Sequence, residues 1–432
     1  MAAARLLAAV ADAHTPLDGL TDHENGHPQF MALDGRDRAL VRAILSTALR
    51  FRVTIDRVIA GRLERPLPDN ASVLRHILHV AVAQMLFLDI PDSAAVDLAV
   101  THAKADPRTR RFAGLVNAVL RGVGRGGDAL RDKALAEAVD APDWFRARLA
   151  AAAYGPATTA EILAAHRREA PVDFTVRSDP ALWAERLGGI VLPTGSVRVA
   201  KLAGSVPDLP GFAEGAWWVQ DAAASLPARL LGDVAGLRVA DLCAAPGGKT
   251  AQLALTGARV TAVDASKSRT ARMAGNLARL KLEVECLTAD IMAWTPAAPF
   301  DAILLDAPCS STGTVRRHPD VPWTKSAADI GKLAGLQARL LQRAFGFLKP
   351  GGRLVFSNCS LDPEEGEALW AAFLASQPLA EAEPVRPDEV PGIAAFIAPH
   401  GTLRTTPADM RLADPQLSGM DGFFAARARK RA

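Results

Sequence analysis

The sequence is poor in the residues that build disulfide frameworks and zinc sites. It has 4 cysteines in 432 residues, and no two of them form a C-x-x-C pair, so we expect neither a zinc site nor a disulfide-stabilised secreted fold. The sequence contains no run of eighteen apolar residues without a charged residue, and Asp12 interrupts the apolar segment at the N-terminus. We therefore expect no membrane span, no secretory signal and a reducing, cytoplasmic location.

A large excess of charge of one sign is also missing. The formal net charge is +3, which is too small to indicate nucleic-acid binding by itself. The basic residues are nevertheless grouped, as is typical either of solvated helix faces or of phosphate contacts. The groups are Lys104–Arg111, Arg167 with Arg168, Arg316 with Arg317, and Arg427–Arg431.

The first part of the chain, residues 1–130, is predicted to be entirely helical. Asp34 and Asp92 are expected to be N-caps, and the glycine-rich stretch 122–127 is predicted to be a flexible boundary. Apolar residues recur at helical spacing in five segments, namely 3–14, 36–63, 70–88, 93–104 and 109–124.

The next part, residues 141–235, mixes helical and strand-like patterns and predicts a small α+β unit. From residue 236 strands alternate with helices, which predicts a parallel sheet covered on both faces. AAFIAPHG and DGFFAARAR are expected to pair as a hairpin at the sheet edge. The predicted helices are 143–153, 157–168, 180–187, 249–256, 266–281, 327–348 and 363–377, and the strand-like runs include VDFTVRS, GIVL, SVRVAK, LRVADLCA, ARVTAVDA, LEVECLTA, FDAILLDAP and GGRLVFSNC.

One loop, DLCAAPGGKT, follows a predicted strand and leads into a helix. This layout grips nucleotide-like ligands. Gly247 and Gly248 let the backbone approach a ligand because they carry no Cβ, and amides from Lys249 onward present the positive end of a helix. The loop has neither a G-x-G-x-x-G nor a Walker A sequence. It is either a simple tight turn or a site for a sulfonium cofactor with a carboxylate.

Three acids follow at the ends of the next strands, Asp264 in VDA, Asp290 in TAD and Asp306 in LLDAP. Ligands of open α/β sheets bind at the carboxyl ends of strands. We therefore expect Asp264 to accept a ribose hydroxyl and Asp290 to contact an adenine amino group. The alternative for Asp264 is a helix N-cap before SKSRT.

Two cysteines, Cys309 after DAP and Cys359 in SNCSL, also stand at strand ends. A thiolate that attacks carbon 6 of a cytosine activates carbon 5 for methylation and divides one hard step into easier ones. Asp306 is the candidate for the acid at ring nitrogen 3. The residues alone leave open which cysteine attacks, whereas Cys243 and Cys286 are expected to be packing residues.

The motifs DLCAAPGGKT, DAPCS, RRHPD and NCSL, in this order, resemble those of the RNA 5-methylcytosine methyltransferases of the Sun/Fmu type. The resemblance covers nearly the whole chain, because RDRALVRAILSTALR and VNAVLRGV are similar to a NusB-type RNA-binding domain. It implies an all-α NusB-like domain at 1–130, a small α+β linking domain at 141–235 and a Rossmann-like class I methyltransferase domain at 236–432.

The resemblance also implies a role for each motif. Cys359 is the nucleophile, Cys309 helps to release the methylated product, and the substrate is a cytosine of small-subunit (16S) ribosomal RNA before the subunit is fully assembled. Ser311 and Asn358 stand where the family often has Gly and Thr. The residues that bind S-adenosyl-L-methionine are Cys243, Ala244, Ala245, Pro246, Gly247, Gly248, Lys249, Asp264, Asp290 and Asp306.

The RNA contacts are expected beside the Cys309 loop. A target cytosine reaches a thiol only when it is single-stranded or flipped out. Arg316, Arg317 and His318 are expected to contact phosphates, and Trp323 is either a base-stacking or a core residue. A monomer without metal is expected, with a helical domain that binds RNA or docks a protein. Two alternatives remain, a transfer RNA methyltransferase and a non-catalytic RNA-binding assembly factor.

Overall fold

The structure, a computed structural model, describes residues 1–22, 25–68, 70–152 and 154–432. The chain divides into two compact units, one made of Met1–Arg148 and Arg317–Ser326, the other of Leu149–Arg316 and Ala327–Ala432. Across these described residues no helix is both long and apolar enough to cross a membrane. The three-domain division at 1–130, 141–235 and 236–432 stays a prediction.

The first unit is helical and packs around one apolar core in which Leu45 and Leu49 are fully buried. The carboxylate of Asp34 accepts a hydrogen bond from the Asp37 N–H at 2.8 Å, which confirms it as an N-cap. The helices are α1 (Ala2–Ala11), α2 (Leu17–Leu20), α3 (Pro28–Met31), α4 (Gly35–Arg50), α5 (Arg52–Ala60), α6 (Ser72–Phe87), α7 (Asp92–Ala105), α8 (Ala113–Glu137) and most of α9 (Asp143–Ala151).

Three details predicted for this unit are wrong. The single helix expected at 36–63 is two helices, because Phe51 has a non-helical backbone with φ −108° and ψ 29°. Asp92 is the first residue of α7, and Pro91 is its N-cap. The stretch 122–127, expected to be flexible, lies inside α8, which kinks at Gly127 with φ 47° and ψ −139°, a conformation that glycine tolerates.

The second unit begins with an antiparallel sheet of strand order β2–β3–β1–β4. Its Arg198 and Asp173 are fully buried and pair through two hydrogen bonds of 2.6 and 2.7 Å. The predicted helix 143–153 corresponds to α9, although residue 153 lies outside the described residues. The elements are α10 (Gly155–His166), β1 (Val172–Val176), α11 (Pro180–Leu187), β2 (Ile190–Val191), β3 (Val197–Val199), β4 (Trp217–Val219) and α12 (Leu226–Arg229).

The large sheet of this unit has the strand order β10–β12–β9–β8–β5–β6–β7, with β11 paired to β12. Its strands are β5 (Arg238–Leu242), β6 (Arg259–Asp264), β7 (Glu285–Thr288), β8 (Phe300–Asp306), β9 (Leu348–Asn358), β10 (Ala380–Ala382), β11 (Leu403–Thr405) and β12 (Phe423–Lys430). The helices are α13 (Gly248–Leu255), α14 (Lys267–Arg279), α16 (Ala327–Gly346) and α17 (Glu367–Ser376), while α15 (Val321–Thr324) belongs to the helical unit.

The strands β5 to β9 pair in parallel, so their carboxyl ends share one edge of the sheet. The loop after β5, the acids after β6 and β8 and the cysteines therefore lie along this edge. The expected hairpin at the sheet edge is wrong. Strand β12 instead lies between β9 and β10, and most of its residues are buried on both faces of the sheet. Within AAFIAPHG, Ile397 forms an isolated bridge with Leu403.

The segment Arg317–Ser326 completes the helical unit from far along the sequence. The Asp320 carboxylate accepts a hydrogen bond from Leu17 N–H at 2.9 Å, and Trp323 packs against the core of the unit. The Trp323 indole donates to Leu49 O at 3.0 Å. The helical unit is therefore built from two separate stretches of sequence.

Candidate active site

The loop after β5 is shaped by backbone conformations that few residues adopt. Cys243 and Gly247 have φ values of 62° and 99°, and the peptide bond between Ala245 and Pro246 is cis. A Cβ on Gly247 would lie 2.9 Å from Cγ of Met273, so this position requires glycine on both counts. The helix α13 then begins at Gly248.

Side chains from the neighbouring β6–α14 region hold this loop in place. Asp264, which is buried, accepts a hydrogen bond from Ala245 N–H at 3.2 Å and another from Ser266 N–H at 3.0 Å. Arg269 donates to Ala245 O at 2.7 Å, and Asn276 donates to Pro246 O at 3.1 Å. Asp264 thus fixes both the loop and the start of the next helix. Its predicted ribose contact stays a prediction.

The loop forms one wall of a cavity of about 370 Å³ that also contains Trp218, Gln220, Asp241 and Asp306. Asp241 is fully buried, and its Oδ2 accepts a hydrogen bond from Thr250 Oγ1 at 2.6 Å. Its Oδ1 has no hydrogen-bond partner among the described residues. Burial raises the pKa of Asp241 to about 7. An unpaired carboxylate oxygen in a cavity wall suits a cationic ligand with hydrogen-bond donors.

An ion pair lies at the same edge of the sheet. The Lys249 ammonium lies 2.7 Å from Asp306 Oδ2, and Ser357 Oγ donates to Asp306 Oδ1 at 2.8 Å. Both partners are largely buried, with 11% of the Lys249 side chain and 28% of the Asp306 side chain exposed. Asp290 is exposed after the end of β7, where it accepts a hydrogen bond from Met292 N–H. Its adenine contact stays a prediction.

The two cysteines at the strand ends contact each other. The Sγ atoms of Cys309 and Cys359 are 3.4 Å apart, and both residues are free thiols. The hydroxyl of Ser311 lies 3.6 Å from the Cys359 sulfur. Hydrogen bonds from Cys309 and Ser311 lower the pKa of Cys359, against an opposing effect of burial. The same hydrogen bond between the thiols, together with burial, raises the pKa of Cys309.

The other cysteines are not activated in this way. Burial raises the pKa of Cys243 to about 12 and also raises the pKa of Cys286, so both stay thiols at neutral pH. Both side chains are partly rather than fully buried, and they pack against apolar clusters. Cys359 is therefore the cysteine of this chain whose surroundings favour the thiolate.

Family models match both parts of the chain. The model described as 16S rRNA methyltransferase RsmB/F matches residues 229–429, and the NusB family model matches residues 1–125. The Ribosomal RNA small subunit methyltransferase B of Xanthomonas campestris is 39% identical and covers 89% of this chain and 89% of its own length. The protein of the same name from Klebsiella pneumoniae is 37% identical, covering 94% of this chain and 93% of its own length.

The chain belongs to the 16S rRNA methyltransferase RsmB/F family. Among solved structures, a crystal structure of PH0851 has a TM-score of 0.71 at 24% identity and covers 99% of both chains. A methyltransferase homologue from Pyrococcus horikoshii has a TM-score of 0.52 at 27% identity, covering 67% of this chain and 99% of its own. These matches confirm the predicted fold class, a Rossmann-like methyltransferase domain preceded by a NusB-like one.

Membership of the RsmB/F family confirms the prediction that the chain is an RNA methyltransferase enzyme. S-adenosyl-L-methionine is the cofactor expected of this family. The residues present fit such a group, because the unpaired Asp241 oxygen lies in the wall of the cavity that the glycine-containing loop also lines. The same wall contains Lys249 and Asp306.

The residues that follow the Cys309 loop in this RsmB/F chain make contacts with other residues of the chain. Arg316 is 2% exposed and lies 3.3 Å from Asp421 and 3.6 Å from Asp221, so its burial does not support a phosphate contact. His318 lies 3.3 Å from Asp18 within the helical unit. For Arg317 and His318 the RNA contact stays a prediction. The Arg52 guanidinium lies 4.7 Å above the ring of Trp323, which is the core alternative for Trp323.

One residue of the site was missed altogether. Glu365 is fully buried and accepts hydrogen bonds from the residues that follow both cysteines. In the sequence it stands beside Glu364 in DPEEGE, and nothing in this pattern distinguishes a buried glutamate from an exposed one. Glu364 is exposed.

Proposed function

We propose that this chain methylates carbon 5 of a cytosine in the 16S RNA of the small ribosomal subunit. In this proposal S-adenosyl-L-methionine is the methyl donor and Cys359 is a covalent nucleophile. The observation that carries it is the 3.4 Å contact between the sulfurs of Cys359 and Cys309. This contact lies at the sheet edge that also carries the Lys249–Asp306 pair. The ribosomal RNA named for the relatives supports the substrate.

The first step is the attack of the Cys359 thiolate on carbon 6 of the target ring. The S–C6 bond forms while the C5=C6 double bond opens, and the electron pair makes carbon 5 nucleophilic. The hydrogen bonds from Cys309 and Ser311 favour the thiolate needed for this step. When bound, S-adenosyl-L-methionine supplies an electrophilic methyl group.

Negative charge that develops on the ring needs a proton or a hydrogen bond at nitrogen 3. The Lys249 ammonium lies 2.7 Å from the Asp306 carboxylate at this edge of the sheet. Ser357 lies two positions before Cys359, and its hydroxyl fixes the other oxygen of Asp306. Asp306 is therefore our assignment for the residue that serves nitrogen 3, with Lys249 as its ion-pair partner.

Release requires loss of the proton on carbon 5 and cleavage of the S–C6 bond. The C–H electron pair restores the C5=C6 double bond, and the sulfur of Cys359 leaves as a thiolate. While Cys359 is free, its hydrogen bond and charge raise the pKa of Cys309. Once Cys359 is bonded to carbon that charge is gone, so Cys309 ionises more readily. We assign Cys309 as the base for this step.

The residues that would hold the cofactor are Asp241, Asp306 and the loop Cys243–Lys249. Asp241 would accept a hydrogen bond from a cationic group, and the loop amides would face a carboxylate. Asp264 and Asp290 are assigned to the ribose and the adenine. The NusB-like part of the chain would enlarge the RNA-binding surface, with Arg317 and His318 as candidate contacts.

The experiment is methyl transfer from labelled S-adenosyl-L-methionine to purified RNA, followed by nucleoside analysis. We expect label in 5-methylcytosine of 16S RNA that lacks the modification, and little in 16S RNA already folded into complete subunits. Label in transfer RNA instead would replace the substrate assignment. Absence of methyl transfer to any RNA would favour the non-catalytic assembly factor.

A further inference from the structure

The residues that follow the two cysteines donate hydrogen bonds to one carboxylate. Ser310 follows Cys309, Ser360 follows Cys359, and both donate hydrogen bonds to the side chain of Glu365. Glu365 lies farther along the loop that carries Cys359, between β9 and α17, and it is fully buried. One side chain thus ties together two loops that follow different strands, β8 and β9.

The carboxylate of Glu365 accepts four hydrogen bonds. Oε1 accepts from Ser310 N–H at 2.9 Å and from Gln337 Nε2 at 2.8 Å. Oε2 accepts from Ser360 Oγ at 2.6 Å and from Ser310 Oγ. The backbone carbonyl of Glu365 also accepts from Asn358 Nδ2 at 2.7 Å, which anchors the residue before Cys359.

This donor set matches an ionised carboxylate rather than an amide. An ionised carboxylate offers acceptor sites on both oxygens, whereas the amide of glutamine has only one acceptor oxygen. The hydrogen bonds offset the cost of burying the charge. Burial raises the pKa of Glu365, and the hydrogen bonds from Ser310 and Ser360 oppose that rise.

We propose that Glu365 is a positioning residue that sets the distance between the sulfurs of Cys309 and Cys359 by holding both cysteine loops. The inference rests on the proposed function, in which these two sulfurs attack and release the cytosine. The 3.4 Å contact is short enough for a hydrogen bond between the two sulfurs. A shift of either loop would lengthen it and remove the difference between the two thiols.

The test is Glu365→Gln in the full-length chain. The amide keeps the size of the side chain but cannot accept all four hydrogen bonds, so the loops move apart. We expect kcat for RNA methylation to fall about 10- to 100-fold, as for small misplacements of reacting groups. The KM for RNA and the Kd for S-adenosyl-L-methionine should stay within about twofold, because Glu365 is fully buried and is not among the residues that line the cavity.

A second measurement needs no RNA. Iodoacetamide labelling across a pH series, read by mass spectrometry, reports the ionisation of each cysteine. In the wild type we expect Cys359 to be alkylated at lower pH than Cys309. In Glu365→Gln the two profiles should converge, because Cys359 loses its donor and Cys309 loses a nearby negative charge. If Glu365 had only a structural role, the order in which the two cysteines are alkylated and the pH difference between their profiles would stay unchanged.

The matched control is Glu364→Gln, which changes the adjacent exposed glutamate and should behave as wild type. If Glu365→Gln does not fold, Ser310→Ala and Ser360→Ala test the proposal instead. Each removes one hydrogen-bond donor from one loop, so the pH difference between the alkylation profiles of Cys359 and Cys309 should become partly smaller. Wild-type kcat and profiles in these variants would overturn the proposal. A wild type with the expected cysteine order but without RNA methylation would instead overturn the proposed function.

Discussion

The sulfur of Cys309 lies 3.4 Å from the sulfur of Cys359, although 50 positions separate the two residues in the chain. The strands β8 and β9 are parallel neighbours, so the loops at their carboxyl ends meet. The contact makes two chemically identical side chains different, since it lowers the pKa of Cys359 and raises the pKa of Cys309. Our proposal of Cys359 as the nucleophile rests on this asymmetry.

Replacing the nucleophile should separate chemistry from cofactor binding. In Cys359→Ala we expect no detectable methylation, because no thiolate remains to open the ring, while the Kd for S-adenosyl-L-methionine by calorimetry stays within about twofold. The control is Cys286→Ala, which removes a cysteine of β7 and should keep wild-type activity. Full activity in Cys359→Ala would reject this nucleophile.

Replacing the second cysteine should stop the reaction at the covalent stage. In Cys309→Ala attack is slower, because Cys359 loses the hydrogen bond that lowers its pKa, but methyl transfer still follows and no base removes the proton from carbon 5. We expect a protein–RNA adduct that migrates slowly on a denaturing gel, and no adduct in the double variant Cys309→Ala/Cys359→Ala. Rapid turnover without a band would show that another group performs the release.

Asp306 and Asp301 stand at opposite ends of β8, and each is paired with a lysine at 2.7 and 2.6 Å. Asp306→Asn removes the carboxylate paired with Lys249 and assigned to nitrogen 3, so we expect kcat to fall by about 10²- to 10⁴-fold, the range of general acid–base catalysis. Asp301→Asn, which removes the ion pair with Lys349, is the control and should leave kcat unchanged. Equal losses of kcat in the two variants would indicate that the substitutions disrupt strand β8 rather than remove a catalytic group.

Because of Asp241, the affinity for the cofactor and the stability of the ligand-free protein should change in opposite directions with pH. Its pKa is raised by burial to about 7, so the ligand-free protein keeps the neutral form at acid pH. Stability from this group is therefore present at low pH and declines as the pH rises through about 7. A cationic cofactor favours the carboxylate, so its affinity should rise over the same range with release of a proton.

Calorimetry in buffers of different ionisation enthalpy measures that proton, and thermal unfolding of the ligand-free protein measures the stability. Asp241→Asn should bind the cofactor more weakly and lose both pH dependences near neutrality. A wild-type affinity that does not change between about pH 6 and pH 8 would contradict the assignment, because a group with a pKa of about 7 titrates within that range.

Trp323 should stabilise the helical unit although it lies far from it in sequence. Its indole donates to Leu49 O, and its ring packs beneath Arg52. In Trp323→Ala we expect the helical unit to lose about 2–4 kcal/mol, somewhat less than for a fully buried tryptophan, as measured by urea unfolding followed by circular dichroism. Lys325→Ala, in the same segment, should cost little, and equal losses would contradict the core role.

Much of the methyltransferase fold could be predicted from the sequence because its signals are local. The strand that ends in DLCAAPGG and the helix at 180–187 follow from periodicity and turn chemistry, and the structure has both. The position of β12 was missed because alternation in FFAARARK indicates an exposed edge strand. Its Arg427, however, is buried and paired with Glu389 at 2.7 Å.

The finer features of the site depend on contacts that no spacing predicts. Arg316 belongs to a basic pair that resembles a phosphate contact, yet two distant aspartates bury it. The difference between Cys309 and Cys359 arises from a contact between the loops of two neighbouring strands, and Glu365 accepts hydrogen bonds from both of these loops. Sequence patterns identify the chemical groups at this edge, and tertiary contacts determine their protonation.

The division of the helical unit between Met1–Arg148 and Arg317–Ser326 has a consequence for biosynthesis. A nascent chain emerges from the ribosome N-terminus first, so the first eight helices are exposed long before the tryptophan that closes their core has been made. The unit nearest the N-terminus therefore completes its packing only after the first stretch of the second unit, Leu149–Arg316, has been translated. During that interval the core beside Leu49 lacks the ring that packs against it in the folded unit.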